Sequence, residues 1–171
     1  SANGDLACFD LEKGARKWQK SFVEDFGGKV PSWGFSESPL VDGEKLIVTP
    51  GGKDGAIAAL DKKTGRTLWR SKGLEDEAQY ASVIIAEVDG VKQYVQLFMK
   101  KLAGVDAENG KVLWTSDWKD GRTAVIPTPI YYKGHVYMTS GYGAGSKLVN
   151  IEGDEAKDVW SNKVMKNHHG G

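Results

Sequence analysis

Trp33, Glu37, Gln79, Tyr80, Arg122, His168 and His169 are the residues of this 171-residue chain best suited by type and spacing to chemistry. Together they offer an indole, a carboxylate, a guanidinium and two imidazoles, groups that can bind an anionic or polar ligand. They are spread over about 135 residues, so no single loop can hold them. Only a fold that returns the chain repeatedly to one place could make them converge. Lys53, Asp54, Lys100, Lys101 and Tyr142 form a second set with the same requirement. The competing reading is that both sets are merely solvated loop residues.

Local motifs supply little else. Gly34-Phe35-Ser36-Glu37-Ser38 lacks the closing glycine of a nucleophile elbow. Gly141-Tyr142-Gly143-Ala144-Gly145-Ser146 is glycine-rich but leads into a strand, which argues against a dinucleotide site. No stretch, Gly51-Gly52-Lys53 included, fits a P-loop. His168 and His169 are adjacent, and on a strand they would face opposite sides, against a shared metal. The acidic stretch from Glu152 to Asp158 reads as an exposed turn, with calcium binding as the alternative. Cys8 is the single cysteine, which rules out an internal disulfide and a cysteine-rich metal site; it reads as a buried free thiol. No metal site and no catalytic residue is assigned from these patterns.

Composition narrows the class. Lys+Arg and Asp+Glu each total 23, so no net charge draws the chain to nucleic acid or an anionic membrane. No apolar run approaches the ~18 residues of a transmembrane segment. Glycine, at 22 residues, is nearly twice its usual ~7% share, which points to many turns.

The positioning elements emerge from a repeat. Trp18, Trp69, Trp114 and Trp160 recur at intervals of 51, 45 and 46 residues. Eight residues before each stands an acid: Asp10, Asp61, Asp106 and Glu152. Gly14, Gly65 and Gly110 follow the first three acids at a fixed offset, and Ala156 takes that place in the fourth copy. Leu6, Ile57, Leu102 and Leu148 form one apolar column, and Cys8, Ala59, Gly104 and Asn150 a column of small or compact residues. An apolar run, a glycine turn and a Trp-bearing run make a β-hairpin, with the acid accepting the turn's N–H groups. A second pair of short strands precedes each of the last three hairpins, around the Asp42-Gly43, Asp89-Gly90 and Lys133-Gly134 turns.

Units of ~45 residues with four strands and no amphipathic helix are blades of a β-propeller. The expectation is all-β: four-stranded antiparallel blades at about 33–72, 78–117 and 124–162, a half blade at 1–20, and the start of another at 167–171. Labelled A to D from the hub outward, the strands place the D-to-A links and B-to-C loops at one end of the propeller and the short turns at the other. The link quartets Gly34 to Glu37, Ala78 to Ala81, Ala124 to Pro127 and Asn167 to Gly170 should then ring the channel mouth. That ring would gather both candidate sets on one face. The four register-matched tryptophans should pack each blade on the next, unless one stacks on a cofactor. Trp33 and Trp118 lie off that register and are free for other work.

Ala59-Leu60-Asp61-Lys62-Lys63-Thr64-Gly65-Arg66-Thr67-Leu68-Trp69 resembles the tryptophan-docking repeat of pyrroloquinoline quinone (PQQ) dehydrogenases, shared by an outer-membrane barrel-assembly lipoprotein and other PQQ-like propellers. The resemblance implies an eight-bladed parent of which this chain is a fragment, with the remaining blades as its neighbours, and a periplasmic or otherwise extracytoplasmic setting. It implies one of two roles. The first is a scaffold binding a protein or small polar ligand on the loop face, with no nucleic acid and no transmembrane segment. The second is a quinoprotein dehydrogenase acting on an alcohol or polymer, with PQQ and calcium in the full-length parent. For that second role Trp33, Glu37 and Asp54 are the residues nominated here. No cofactor is evident in this segment itself.

Overall fold

The computed structural model describes residues 1–169, and Gly170 of the fourth link quartet, with Gly171, lies outside them. The described residues form fourteen strands and no helix, so no helix is long and apolar enough to cross a membrane. β1 (Asp5–Phe9) and β2 (Arg16–Ser21) make a two-stranded sheet. β3 (Leu40–Asp42), β4 (Lys45–Val48), β5 (Ala58–Asp61) and β6 (Thr67–Arg70) make the first four-stranded antiparallel meander. β7 (Ile84–Val88), β8 (Val91–Leu97), β9 (Lys101–Asp106) and β10 (Val112–Asp117) make the second. β11 (Ile130–Tyr132), β12 (His135–Ser140), β13 (Gly145–Glu152) and β14 (Glu155–Asn162) make the third. Residues 167–169 form no strand.

The sheets stack face to face around three apolar cores. In the first meander Leu46, Val48, Ala58 and Leu60 point into a core shared with Phe22, Phe26 and Phe35 of the preceding segment. Their strand neighbours Ile47 and Ala59 point the other way, onto Tyr94, Ala103 and Val105 of the second meander. Val95, Leu97 and Leu102 then face a core with Val136, Met138 and Val149 of the third. Successive strand residues face opposite sides, so a middle strand with a core on each side reads as a continuous apolar run. That is the composition of β4, β5 and β9 between their end residues, while β8 buries Gln93 and Gln96 among its apolar residues.

The hairpin turns behave as the first three acids require. Asp10, Asp61 and Asp106 each accept two backbone N–H groups, from the residues two and three further on. These bonds favour the ionised form and hold the Asp10 and Asp61 carboxyls below the usual carboxylate range. Glu152 does not join them. The fourth hairpin closes through Gly153 and Asp154 alone, with Glu152 paired to Glu155, and Glu152 accepts instead from the Asn150 amide. This is the stretch expected to be an exposed acidic turn, and Lys157 pairs with both Glu152 and Glu155 there.

The shortened turn revises the tryptophan pattern. Trp18 docks on the next sheet: its indole N–H donates to Lys62 O at 3.1 Å, and a Cβ on Gly65 would lie 2.7 Å from its ring. Trp69 docks likewise on Gly110, where a Cβ would meet the ring at 2.3 Å. Trp114 is also buried in the core between its sheet and the next, but by a different contact. It folds over Gly104 of its own sheet and donates to Gln93 Oε1 at 2.6 Å, because no six-residue turn reaches it from the third meander. Trp160 is 40% exposed and sits opposite Leu148, whereas Trp18, Trp69 and Trp114 sit opposite Cys8, Ala59 and Gly104, since the tight turn displaces the register. Trp118, expected to be free, is 3% exposed within the core between the second and third meanders. Cys8 is a free thiol but only half buried, because among the described residues no third strand lies beside β1.

Candidate functional site

Three links between sheets, residues 22–39, 71–83 and 118–129, converge at one end of the molecule. Hydrogen bonds across the seams align them. Ser38 N–H donates to Ser82 Oγ at 2.8 Å, and Ser82 N–H to Thr128 Oγ1 at 3.2 Å, so one column of hydroxyl residues laces three sheets. Tyr80 and Ala81 N–H both donate to Val125 O, while Val125 N–H donates to Gln79 Oε1. Trp33 N–H donates to the Tyr80 hydroxyl at 3.3 Å, and the two rings meet edge to face at 6.0 Å.

The links bound a cleft of about 390 Å³ lined by Trp33, Ser36, Tyr80, Ala124, Ile126, Tyr142 and His169. That volume is within the range of small-ligand and peptide side-chain sites. Trp33 is 64% exposed and Tyr142 is 44% exposed, so both rings are available to a ligand. Tyr142 has φ +56°, an uncommon conformation for a bulky residue, and its ring rests edge-on against His168 at 4.6 Å. The His168 ring in turn fills the space beside Gly141, where a Cβ would lie 2.5 Å from it. Thr123, beside the cleft residue Ala124, has φ +64°. Unusual backbone on both walls is consistent with a shaped site.

Of the residues nominated from sequence, Trp33, Tyr80, Tyr142 and His169 line this cleft, with His168 behind Tyr142. Gln79 is 8% exposed and clamps two links by bonding Val125 N–H and Ala78 O. Arg122 is exposed, outside the lining, with its Nε–H directed to Asp120 O. Lys53 is exposed away from the lining, Asp54 pairs with Arg70 at 3.8 Å, Lys101 pairs with Asp76 at 3.2 Å, and Lys100 donates to Lys119 O. Ser36 and Ile126 were visible beforehand only as members of the aligned link quartets.

Glu37 does not line the cleft. Its Oε1 accepts Thr49 N–H at 2.5 Å, and its Oε2 is buried without a hydrogen-bond partner. Burial pushes this carboxyl up to about 7, against the Thr49 bonds that favour ionisation. Ala81 and Pro127 hold the matching positions in the other links.

PQQ carries three carboxylates and works with a calcium ion, so a matching site needs cations and oxygen ligands. The cleft lining contains no Lys, Arg, Asp or Glu. Among the described residues no group of three His, Cys, Asp or Glu could hold a metal ion. Of Trp33, Glu37 and Asp54, only Trp33 reaches the cleft. The residues lining this cleft do not fit that cofactor.

A protein described as outer membrane protein assembly factor BamB, from Francisella salina, is 30% identical over 158 residues, covering 90% of this chain and 28% of its own length. A polyvinylalcohol dehydrogenase from Pseudomonas sp is 25% identical over 176 aligned positions, covering 95% of this chain and 26% of its own length. The chain thus spans about a quarter of the curated relatives it matches. The crystal structure of BamB from Moraxella catarrhalis superposes with a TM-score of 0.63 at 21% identity, over 96% of this chain and 47% of that one. A quinohemoprotein alcohol dehydrogenase from Pseudomonas putida HK5 gives 0.58 at 14% identity, over 95% and 32%. These two likenesses show the fold, a propeller larger than the chain described. The family model for outer membrane protein assembly factor BamB matches residues 1–171, and the chain belongs to that family of PQQ-like repeat propellers.

Proposed function

We propose that this chain is part of a partner-binding propeller that works outside the cytoplasm in the assembly of outer-membrane proteins. The links present the binding surface. The observation that carries the reading is the cleft at the link end: exposed aromatic rings, no charged side chain, and walls tied rigidly to three sheets. Rigid aromatic side chains contribute strongly to protein recognition because they bury much area and lose little conformational freedom. The assembly-factor relative supports the setting and the class of partner.

The alternative, a dehydrogenase of alcohols or polymers, draws on the polyvinylalcohol dehydrogenase relative. For it, PQQ and calcium would have to be held by other parts of the parent, given the cleft residues here.

One experiment separates the two. A photo-crosslinking amino acid replaces Trp33 in the full-length protein, and the crosslinked products are identified in cells. The scaffold reading expects a protein of the outer-membrane assembly machinery. Its overthrow would be no such product, together with dye reduction by the purified protein once PQQ, calcium and an alcohol are supplied.

A further inference from the structure

We propose that the aromatic cleft binds a proline-containing protein segment in the polyproline II conformation; this deepens, and rests on, the partner-binding reading above. Four features of the cleft select that occupant.

The first is that much of the backbone around the cleft is already committed to bonds within the protein. Gly34 N–H is bonded to Pro31 O, Phe35 N–H to Ala2 O, and Ala124 N–H to Arg122 O. Val125 O receives both Tyr80 and Ala81 N–H. Strand addition needs a row of free backbone groups, so these links favour a segment read by side chains alone.

The second is the set of polar groups left over. Trp33 Nε1, Ser36 Oγ and Tyr142 Oη carry no hydrogen bond among the described residues, and Tyr80 Oη, accepting Trp33 N–H, keeps its own proton to give. These are donors placed beside aromatic rings. Their complement is a chain that exposes carbonyl oxygens and lacks N–H groups, which is what consecutive prolines supply.

The third is charge. The lining contains no Lys, Arg, Asp or Glu, so an uncharged segment enters without desolvating an unmatched charge of those groups. The fourth is prior order. Tyr142 is set by its backbone and by His168, and Trp33 by Tyr80, so two preformed walls meet a preformed helix and little conformational freedom is lost. A neutral saccharide would also stack on such rings, but its hydroxyl pairs call for free amide or carboxylate groups. Gln79 and Glu37, two of the three link-quartet members with those groups, are bonded within the protein, and the third, Asn167, is not free either.

The test uses calorimetric titration of the full-length protein with acetylated decaproline amide, a glycine-serine decapeptide and maltotetraose. Decaproline is expected to bind and the other two are not. Trp33→Ala and Tyr142→Ala should each weaken decaproline by about tenfold or more, as aromatic anchors do. Trp33→Phe, which keeps a ring but loses the N–H, should weaken it less. Tyr132→Ala, at a 68% exposed ring outside the cleft, should leave binding unchanged. The proposal is overturned by absent decaproline binding, by unchanged binding in both alanine variants, or by maltotetraose binding that those variants abolish. An assembly-protein crosslink at Trp33 without decaproline binding would sink this inference and leave the scaffold reading standing. Decaproline binding without that crosslink, and with PQQ-dependent dye reduction, would do the reverse.

Discussion

The seam between the first and second meanders and the seam between the second and third join equivalent sheets by different chemistry. At the first, Trp69 lies on the Gly110 turn of the next sheet and stacks on Tyr94 at 6.0 Å. Tyr94 gives its hydroxyl proton to Asp42, which also receives Lys92, and that bond holds the Asp42 carboxyl below its usual range. At the second, the turn that should receive Trp114 is too short. Gln93 bridges in its place, accepting from Trp114 and reaching Gly153 O at 3.5 Å. Lys147, 4% exposed, crosses the same seam to Ser116 Oγ and Asp117 O and pairs with Asp158 of its own sheet. A propeller seam therefore tolerates exchange of an apolar dock for a buried charge network, provided each polar atom in it finds a partner.

Removing the dock itself should cost most. Trp69→Ala is expected to lower stability by about 3–5 kcal/mol, read from urea denaturation. Gly110→Ala attacks the same contact from the other side, since its φ of +75° disfavours a side chain and its Cβ would strike the indole. The double variant should lose less than the sum of the two, and strict additivity would show that these residues do not form one joint.

The charge network should be the weaker of the two seams, because Asp158 is 62% exposed and can rehydrate when its partner is lost. Lys147→Ala should cost about 2–3 kcal/mol and Lys147→Met under about 1 kcal/mol, since a buried pair is often replaced well by an apolar chain of similar shape. Equal losses in the two variants would show that cavity formation plays no part there.

Glu37, which supports the link beside the first seam, predicts a pH dependence. The neutral carboxyl suits its buried site, so the proton leaves near pH 7 in the native chain and near 4.5 in the unfolded one. Its stabilising contribution is fully present below about 4.5 and is lost as pH rises through 7. Glu37→Gln should remove that slope and add about 2 kcal/mol at about pH 8. Parallel slopes in the parent and the variant would show that this carboxyl titrates normally.

The fold was legible because it is written several times. Trp18 and Trp69, their preceding acids and the turn glycines recur at one spacing, and each copy repeats the same hairpin physics. The site was legible only through alignment: Trp33, Tyr80 and His169 share a cleft because their links share a register. The same alignment could not say which neighbours turn away. Gln79 and Glu37 look from sequence like solvent-facing polar residues, yet both are bonded within the links. Lys147 gave no signal at all, being an ordinary strand lysine until Ser116 and Asp158 are brought to it from other strands.

Periodicity, turn chemistry and apolar columns are properties of neighbouring residues, so the chain's order alone determined the all-β blade architecture and the place of the turns. Which tryptophan docks, which carboxyl loses its water and which rings face one cleft depend on residues about 45 positions away meeting across a seam. A turn shortened to Gly153 and Asp154 redirected Trp114, and only the packed sheets decide such matters, because burial and hydrogen-bond satisfaction belong to the surroundings and not to the residue itself.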